Sequence, residues 1–144
     1  MKLQLKSGDS LFLDTAPLVY FWEKHDQYYE KMAALFDQVY TLGIQCTVSL
    51  LTYTEVINFP LKNRRPRLAA KYRDYLTNSS NINLYPFNLL VADKTAFFMA
   101  KYDLKLTTAI QLATAAICGS DYVITSNRDW GKVKSLRIVS VEDL

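Results

Sequence analysis

The sequence has too few histidines and cysteines for two common kinds of chemistry. It holds one histidine, His25, and two cysteines, Cys46 and Cys118, far apart and with no C-x-x-C between them. A zinc site built from Cys and His needs several such ligands at short spacing. The two cysteines therefore read as buried free thiols of a cytoplasmic protein. His25 sits in the polar stretch HDQYYE, a poor place for the base of a serine nucleophile. Glycine and proline are also scarce, four of each in 144 residues, so most of the chain is expected in regular elements. There is no Gly-rich phosphate loop and no dinucleotide fingerprint. No apolar run approaches the roughly 18 residues of a membrane span. The opening MKLQLKSGDS has neither an apolar core nor a small-residue cleavage site, so no leader is expected. With no repeat, low-complexity tract or linker, residues 1–144 are expected to form one domain.

What the sequence does have is alternation. Half the residues are hydrophobic, 22% are charged, and the formal net charge is +3. That charge permits a polyanionic partner without demanding one. Short apolar runs at 10–14, 44–49, 81–87, 121–125 and 137–141 read as strands. Between them lie helical patterns. Pro17 suits a first turn ahead of Leu18, Val19, Phe21 and Trp22. An amphipathic helix spans 27–42, with Met32, Leu35, Phe36 and Val39 on one face and Gly43 ending it. Residues 52–59 turn helical around Glu55, and Pro60 is expected to stop them. Further helices are read at 67–76, 90–102 and 107–118, the last Ala-rich and closed by Gly119. Strands alternating with helices imply parallel pairing through right-handed crossovers.

In such sheets ligands gather beyond the carboxyl ends of the strands. Three positions fall there: Asp14 after the first strand, Glu55 after the second, and Ser126-Asn127-Arg128-Asp129 after the fourth. Two readings of Asp14 stand side by side. It can cap a helix, accepting from free backbone N–H groups, or it can do chemistry. Glu55 alone reads as an ordinary surface glutamate. Taken together, two converging carboxylates repel unless a cation or a proton lies between them. Mg²⁺ or Mn²⁺ prefers such oxygen ligands. Other strand-end chemistries fit less well. A haloacid-type phosphatase needs a second acid where Ala16 stands, and a phospho-receiver needs an acid near Phe87-Asn88.

Three segments carry a resemblance. LFLDTAPLVYFW, TVSLLTYTEVI and LKLTTAIQLATAAICGSDYVITSNRDW resemble the PIN domain family, and in particular its VapC-class ribonuclease toxins. The likeness covers nearly the whole chain. It implies a three-layer α/β/α fold with a five-stranded parallel sheet. It also implies acids at the carboxyl edge that bind Mg²⁺ or Mn²⁺ and cut RNA. Asp14 matches the family's first acid, beside Thr15 in the same motif, and Glu55 matches the second. Two further acids are replaced: Thr108 stands where an Asp opens the Ala-rich helix, and Asn127 stands for the last. Neutral oxygens cannot supply the lost charge. The resemblance therefore implies weak metal binding and weakened metal-dependent ribonuclease activity. The alternative is a catalytically inactive module that binds RNA or a protein partner. Asp129 is the candidate replacement metal ligand; Asp103, in the loop before the Ala-rich helix, is a weaker one, and Asp93 reads as a solvated acid on the preceding helix. Thr107 or Thr108 is expected to cap the Ala-rich helix.

Partner expectations follow. In KNRRPRLAAKYRDY, Arg64, Arg65 and Arg67 are candidate phosphate contacts, with Tyr72 or Tyr75 stacking on a base. Lys132, Lys134 and Arg137 form a second, looser basic group. The 27–42 helix and Tyr28-Tyr29 read as apolar surface for a partner, and the resemblance implies a homodimer held by a small antitoxin. No membrane association is expected.

Overall fold

The computed structural model describes residues 3–144 of the chain; Met1 and Lys2, which the expected 1–144 unit includes, lie outside the described residues. Five strands, β1 (Ser10–Leu13), β2 (Gln45–Ser49), β3 (Ile82–Tyr85), β4 (Tyr122–Thr125) and β5 (Ile138–Ser140), form one sheet in the order β3-β2-β1-β4-β5. Every neighbouring pair is parallel. Six α-helices connect them: α1 (Thr15–Trp22), α2 (Tyr29–Leu42), α3 (Leu50–Lys62), α4 (Pro66–Asn78), α5 (Leu89–Tyr102) and α6 (Leu106–Cys118).

The alternation of side chains along a strand explains the three layers. On β1, Leu11 and Leu13 join a core with Leu18, Met32, Phe36 and Val56. Phe12, between them, points the other way and packs with Val91, Phe98, Leu112 and Ala113. β4 repeats the division, with Ile124 in the first core and Val123 in the second. Helices α1 to α4 thus cover one face, and α5 and α6 cover the other. Buried on both sides, β1 and β4 read in sequence as near-continuous apolar runs.

This topology fixes where a site can be. Strand order runs outward from β1 in both directions, to β2 on one side and β4 on the other. The crevice at such a reversal opens beyond the carboxyl ends of the two central strands. Asp14 follows β1 and residue 126 follows β4 there.

Several expected boundaries shift. Pro60 does not stop α3, which begins at Leu50 and runs on to Lys62 with Pro60 buried inside it. So close to the helix end, the ring removes one hydrogen bond and the last turn still closes, with Asn63 N–H and its side-chain amide both donating to the Phe59 carbonyl. Helix α2 starts at Tyr29 rather than residue 27. Helix α6 starts at Leu106 with Lys105 at the cap position, and no side chain caps it. Neither Thr107 nor Thr108 is the cap. Gly43 and Gly119 end their helices in the left-handed region, as expected. Cys46 is buried but Cys118 is only half-buried. The tyrosines offered for base stacking are engaged: Tyr72 is buried and stacked on Trp22, and Tyr75 meets Trp22 edge-on and Tyr40 through its hydroxyl. Tyr28 and Tyr29, both half-buried, stack on Tyr20 and Phe21.

Candidate active site

Asp14 leaves β1 in an extended conformation and caps α1, its Oδ1 accepting from the Thr15 backbone N–H at 2.8 Å. Capping therefore occurs, and it uses only part of the group. Oδ1 also accepts from Gln111 Nε2 at 3.2 Å, and Oδ2 accepts from Thr125 Oγ1 at 2.8 Å. Burial pushes the carboxyl above its ordinary pKa of 3.8. The hydrogen bonds from Thr125, Thr15 and Gln111 pull it back, and the nearby charge of Glu55 pushes it up again.

Glu55 comes from the second turn of α3, whose cap is Ser49 at the end of β2. Its Oε1 accepts from Thr15 Oγ1 at 2.7 Å. Thr15 thus sits between the acids, joined to Asp14 through its backbone and to Glu55 through its side chain. The two carboxylates line one open cavity of about 410 Å³. Thr108 and Asn127 line it too, as does Lys105. Thr108 is third in α6, so its hydroxyl is free of any capping duty. Asn127 spends its Oδ1 on the backbone N–H of Asp129, starting a short 3-10 turn over Arg128–Lys132.

The proposed substitutes do not join the acids. Asp129 is exposed on that turn and is absent from the cavity lining. Asp103 ends α5 in the left-handed region and Asp93 lies exposed on α5, neither lining the cavity. Among the described residues, no group of three or more His, Cys, Asp or Glu is arranged to hold a metal ion. Arg64, Arg65 and Arg67 are exposed around the α3–α4 turn and also stand apart from the cavity.

Does this donor set suit a divalent ion? Mg²⁺ commonly uses only one or two protein carboxylates and completes its shell with water and substrate phosphate. Asp14 and Glu55 supply that minimum. The upward push of Glu55 on Asp14 is a repulsion that a cation would relieve. Two acids fit a weakly held ion and lack the charge for a tightly held one.

Sequence reasoning missed the polar groups beneath the acids. Gln111 is buried in α6, three residues after Thr108 and so on the same helix face. Thr52 is buried one turn before Glu55, and Thr125 ends β4. Only Thr125 left a trace in the sequence, as the polar end of an apolar strand; Gln111 has threonines at 107, 108 and 114 around it, and Thr52 stands between Ser49 and Glu55, so neither interrupts an apolar stripe. Lys105, one turn before Thr108, was also missed.

The family model described as PIN domain matches residues 11–136. Solved structures with the same fold include a toxin–antitoxin complex from Klebsiella pneumoniae, with TM-score 0.72 and 22% identity, covering 93% of this chain and 99% of that one. A DNA-bound VapBC from Salmonella typhimurium aligns with TM-score 0.73 and 18% identity over 92% and 98% of the two chains. A sarcin–ricin-loop-cleaving VapC toxin from Mycobacterium tuberculosis aligns with TM-score 0.68 and 12% identity over 85% and 93%. Among curated proteins, no match is found.

Proposed function

The chain belongs to the PIN domain family, and from that membership we propose that it is a metal-dependent endoribonuclease of toxin–antitoxin type with weakened activity. The observation that carries this reading is the convergence of Asp14 and Glu55 on one cavity, with Thr15 hydrogen-bonded to both. In this reading Asp14 and Glu55 hold Mg²⁺ or Mn²⁺ weakly, and Thr108 or Asn127, which line the same cavity, assists through water. Such an ion, when bound, activates water and stabilises charge developing on a phosphodiester. The chain's own contribution is to fix the two carboxylates. Thr15 holds one oxygen of Glu55, and Thr125 and Gln111 hold Asp14 by its two oxygens. The Lys105 side chain lines the same cavity and offers a phosphate a positive charge.

A partner protein belongs to the same proposal. The Klebsiella neighbour is a toxin–antitoxin complex, and a small antitoxin is the partner proposed here. A second cavity shares Thr15, Val19 and Glu55 with the first and continues over Val56, Phe59 and Tyr72. It offers an apolar floor beside the acids for such a partner. Phe87, Leu89, Leu90 and Phe97 leave an exposed apolar stretch at and along α5, suited to a second copy in a homodimer. No helix among the described residues is long and apolar enough to cross a membrane, and a cytoplasmic location is part of the proposal.

The alternative, an inactive module that binds RNA or protein, is favoured by one fact: Thr108 and Asn127 are neutral, and Asn127 Oδ1 is already engaged. RNA cleavage measured against Mn²⁺ concentration separates the two. Cleavage by the wild type that Asp14→Asn abolishes supports the nuclease. Cleavage that emerges only in Thr108→Asp supports the inactive module.

A further inference from the structure

We propose that Gln111 is the positioning residue of the acid pair, holding both carboxylates from one buried amide. The inference rests on the nuclease reading only for its consequence, which is metal affinity; its geometry stands alone.

Gln111 is 3% exposed, on the face of α6 turned toward the sheet's carboxyl edge. Its Oε1 accepts from the Ser49 hydroxyl, where β2 becomes α3. Its Nε2 lies 3.2 Å from Asp14 Oδ1 and 2.7 Å from Thr52 Oγ1. The amide polarity is forced at the Asp14 end. An ionised carboxylate only accepts, so the NH₂ group must face Asp14, which leaves the carbonyl for Ser49. With one N–H on Asp14, the other is free for Thr52.

The polarity then propagates. Thr52 Oγ1 accepts from Gln111, so its own proton is available for Thr15 Oγ1, 2.7 Å away. Thr15 Oγ1 in turn donates to Glu55 Oε1 at 2.7 Å. One amide therefore reaches Asp14 directly and Glu55 through two hydroxyls. Each link has one donor direction that satisfies the whole set; the Gln111–Thr52 end is buried and costly to break in part, while the last link, Thr15 to Glu55, is exposed. The chain joins Asp14 beyond β1 to α1, the end of β2, α3 and α6, and so fixes the spacing of acids carried by separate crossover units.

The test uses the full-length protein with Gln111→Leu, which keeps the volume and removes the amide. Thr52→Val removes the main branch to Glu55, leaving Gln111 Nε2 only its longer 3.4 Å approach to Thr15 Oγ1, and Thr52→Ser restores the hydroxyl. Free Mn²⁺ is followed by electron paramagnetic resonance, thermal unfolding is recorded for each variant, and crystal structures are solved. Gln111→Leu and Thr52→Val are expected to lower Mn²⁺ affinity about 10–100-fold, the usual range for groups that orient metal ligands. Thr52→Ser is expected to recover most of that loss. Packing alone would move the unfolding temperature without this pattern. Affinity unchanged in both Gln111→Leu and Thr52→Val overturns the inference. If the wild type takes up no Mn²⁺, the nuclease reading fails and the carboxylate positions decide this one. Reoriented Asp14 and Glu55 side chains in Gln111→Leu support it, and unmoved ones overturn it.

Discussion

Thr125 Oγ1 donates to Asp14 Oδ2 at 2.8 Å while accepting from the Asn127 backbone N–H at 3.1 Å. One buried hydroxyl at the end of β4 thus fixes the acid after β1 and the turn that brings Asn127 to the rim. The backbone ties the same two ends together, Asp14 N–H donating to the Ile124 carbonyl at 3.0 Å. The floor of the site is the paired ends of the two central strands, and its rim is set from that floor.

Thr125→Val removes both bonds at nearly constant volume. It leaves one Asp14 oxygen without this donor and the Asn127 N–H without its acceptor. A cost of about 1–3 kcal/mol is expected, the range for stranding a buried polar group, with Thr125→Ser largely spared. Urea unfolding of the three proteins checks it. Equal stability of the valine and serine variants would mean that water replaces the hydroxyl.

Asp14 gives the protein a pH dependence of definite sign. Its pKa is raised above 3.8, first by burial. Between 3.8 and the raised value the folded state holds the proton more tightly than the unfolded chain does. The stabilising contribution of protonated Asp14 is therefore full below 3.8 and is lost as pH rises through the folded value. Asn cannot ionise, so Asp14→Asn is expected to gain stability relative to wild type as pH climbs through this window. That relative gain should accompany the loss of any cleavage, a trade found where a functional group is held in an unfavourable setting. Unfolding of both proteins from acid to neutral pH measures the difference. A gap that closes as pH rises contradicts the assignment.

Gly119 ends α6 with φ at +71°, and a Cβ built there would meet nothing within 4 Å. Gly119→Ala therefore isolates the backbone cost of the left-handed conformation, about 1–2 kcal/mol, with no steric clash added. Thermal or chemical unfolding reads it directly. A larger loss would mean that the α6 terminus relays strain to the sheet.

The contrast between Gly119 and Gln111 shows what a sequence can disclose. A helix end is a local decision: the apolar period stops, a glycine follows, and the left-handed cap needs no knowledge of the rest of the chain. The strands were legible for a similar reason, since β1 and β4 are buried on both faces and their apolar runs are unbroken. Asp14 and Glu55 were legible through topology, because parallel crossovers send every strand's carboxyl end to one edge. Pro60 misled because its penalty depends on how much helix remains beyond it, and only the last turn remains. The Lys105 start of α6 was hidden because the favoured capping residues, Thr107 and Thr108, lie inside the first turn. Gln111 and Thr125 were illegible as partners of Asp14. Each is far from it along the chain, and no periodicity within α6 or β4 encodes a contact with β1.

The basic α3–α4 turn carries the last expectation. Arg64 holds a left-handed conformation, Arg65 precedes α4, and Arg67 lies in its first turn behind Pro66. All three are exposed and apart from the acid cavity, so replacing them leaves the candidate catalytic groups untouched. Glutamine at all three positions removes the charge and keeps most of the side-chain length. Each phosphate neutralised on a single strand contributes about 0.7 to the salt slope of binding. If all three grip the backbone, the slope of log affinity against log salt falls by about 2. The loss of affinity is then large at low salt and fades as salt rises. Titration of a fluorescent single-stranded RNA over a range of salt concentrations gives both slopes. An unchanged slope would take the RNA off this turn and leave Lys105, at the edge of the cavity, or the group Lys132, Lys134 and Arg137 to meet the phosphates.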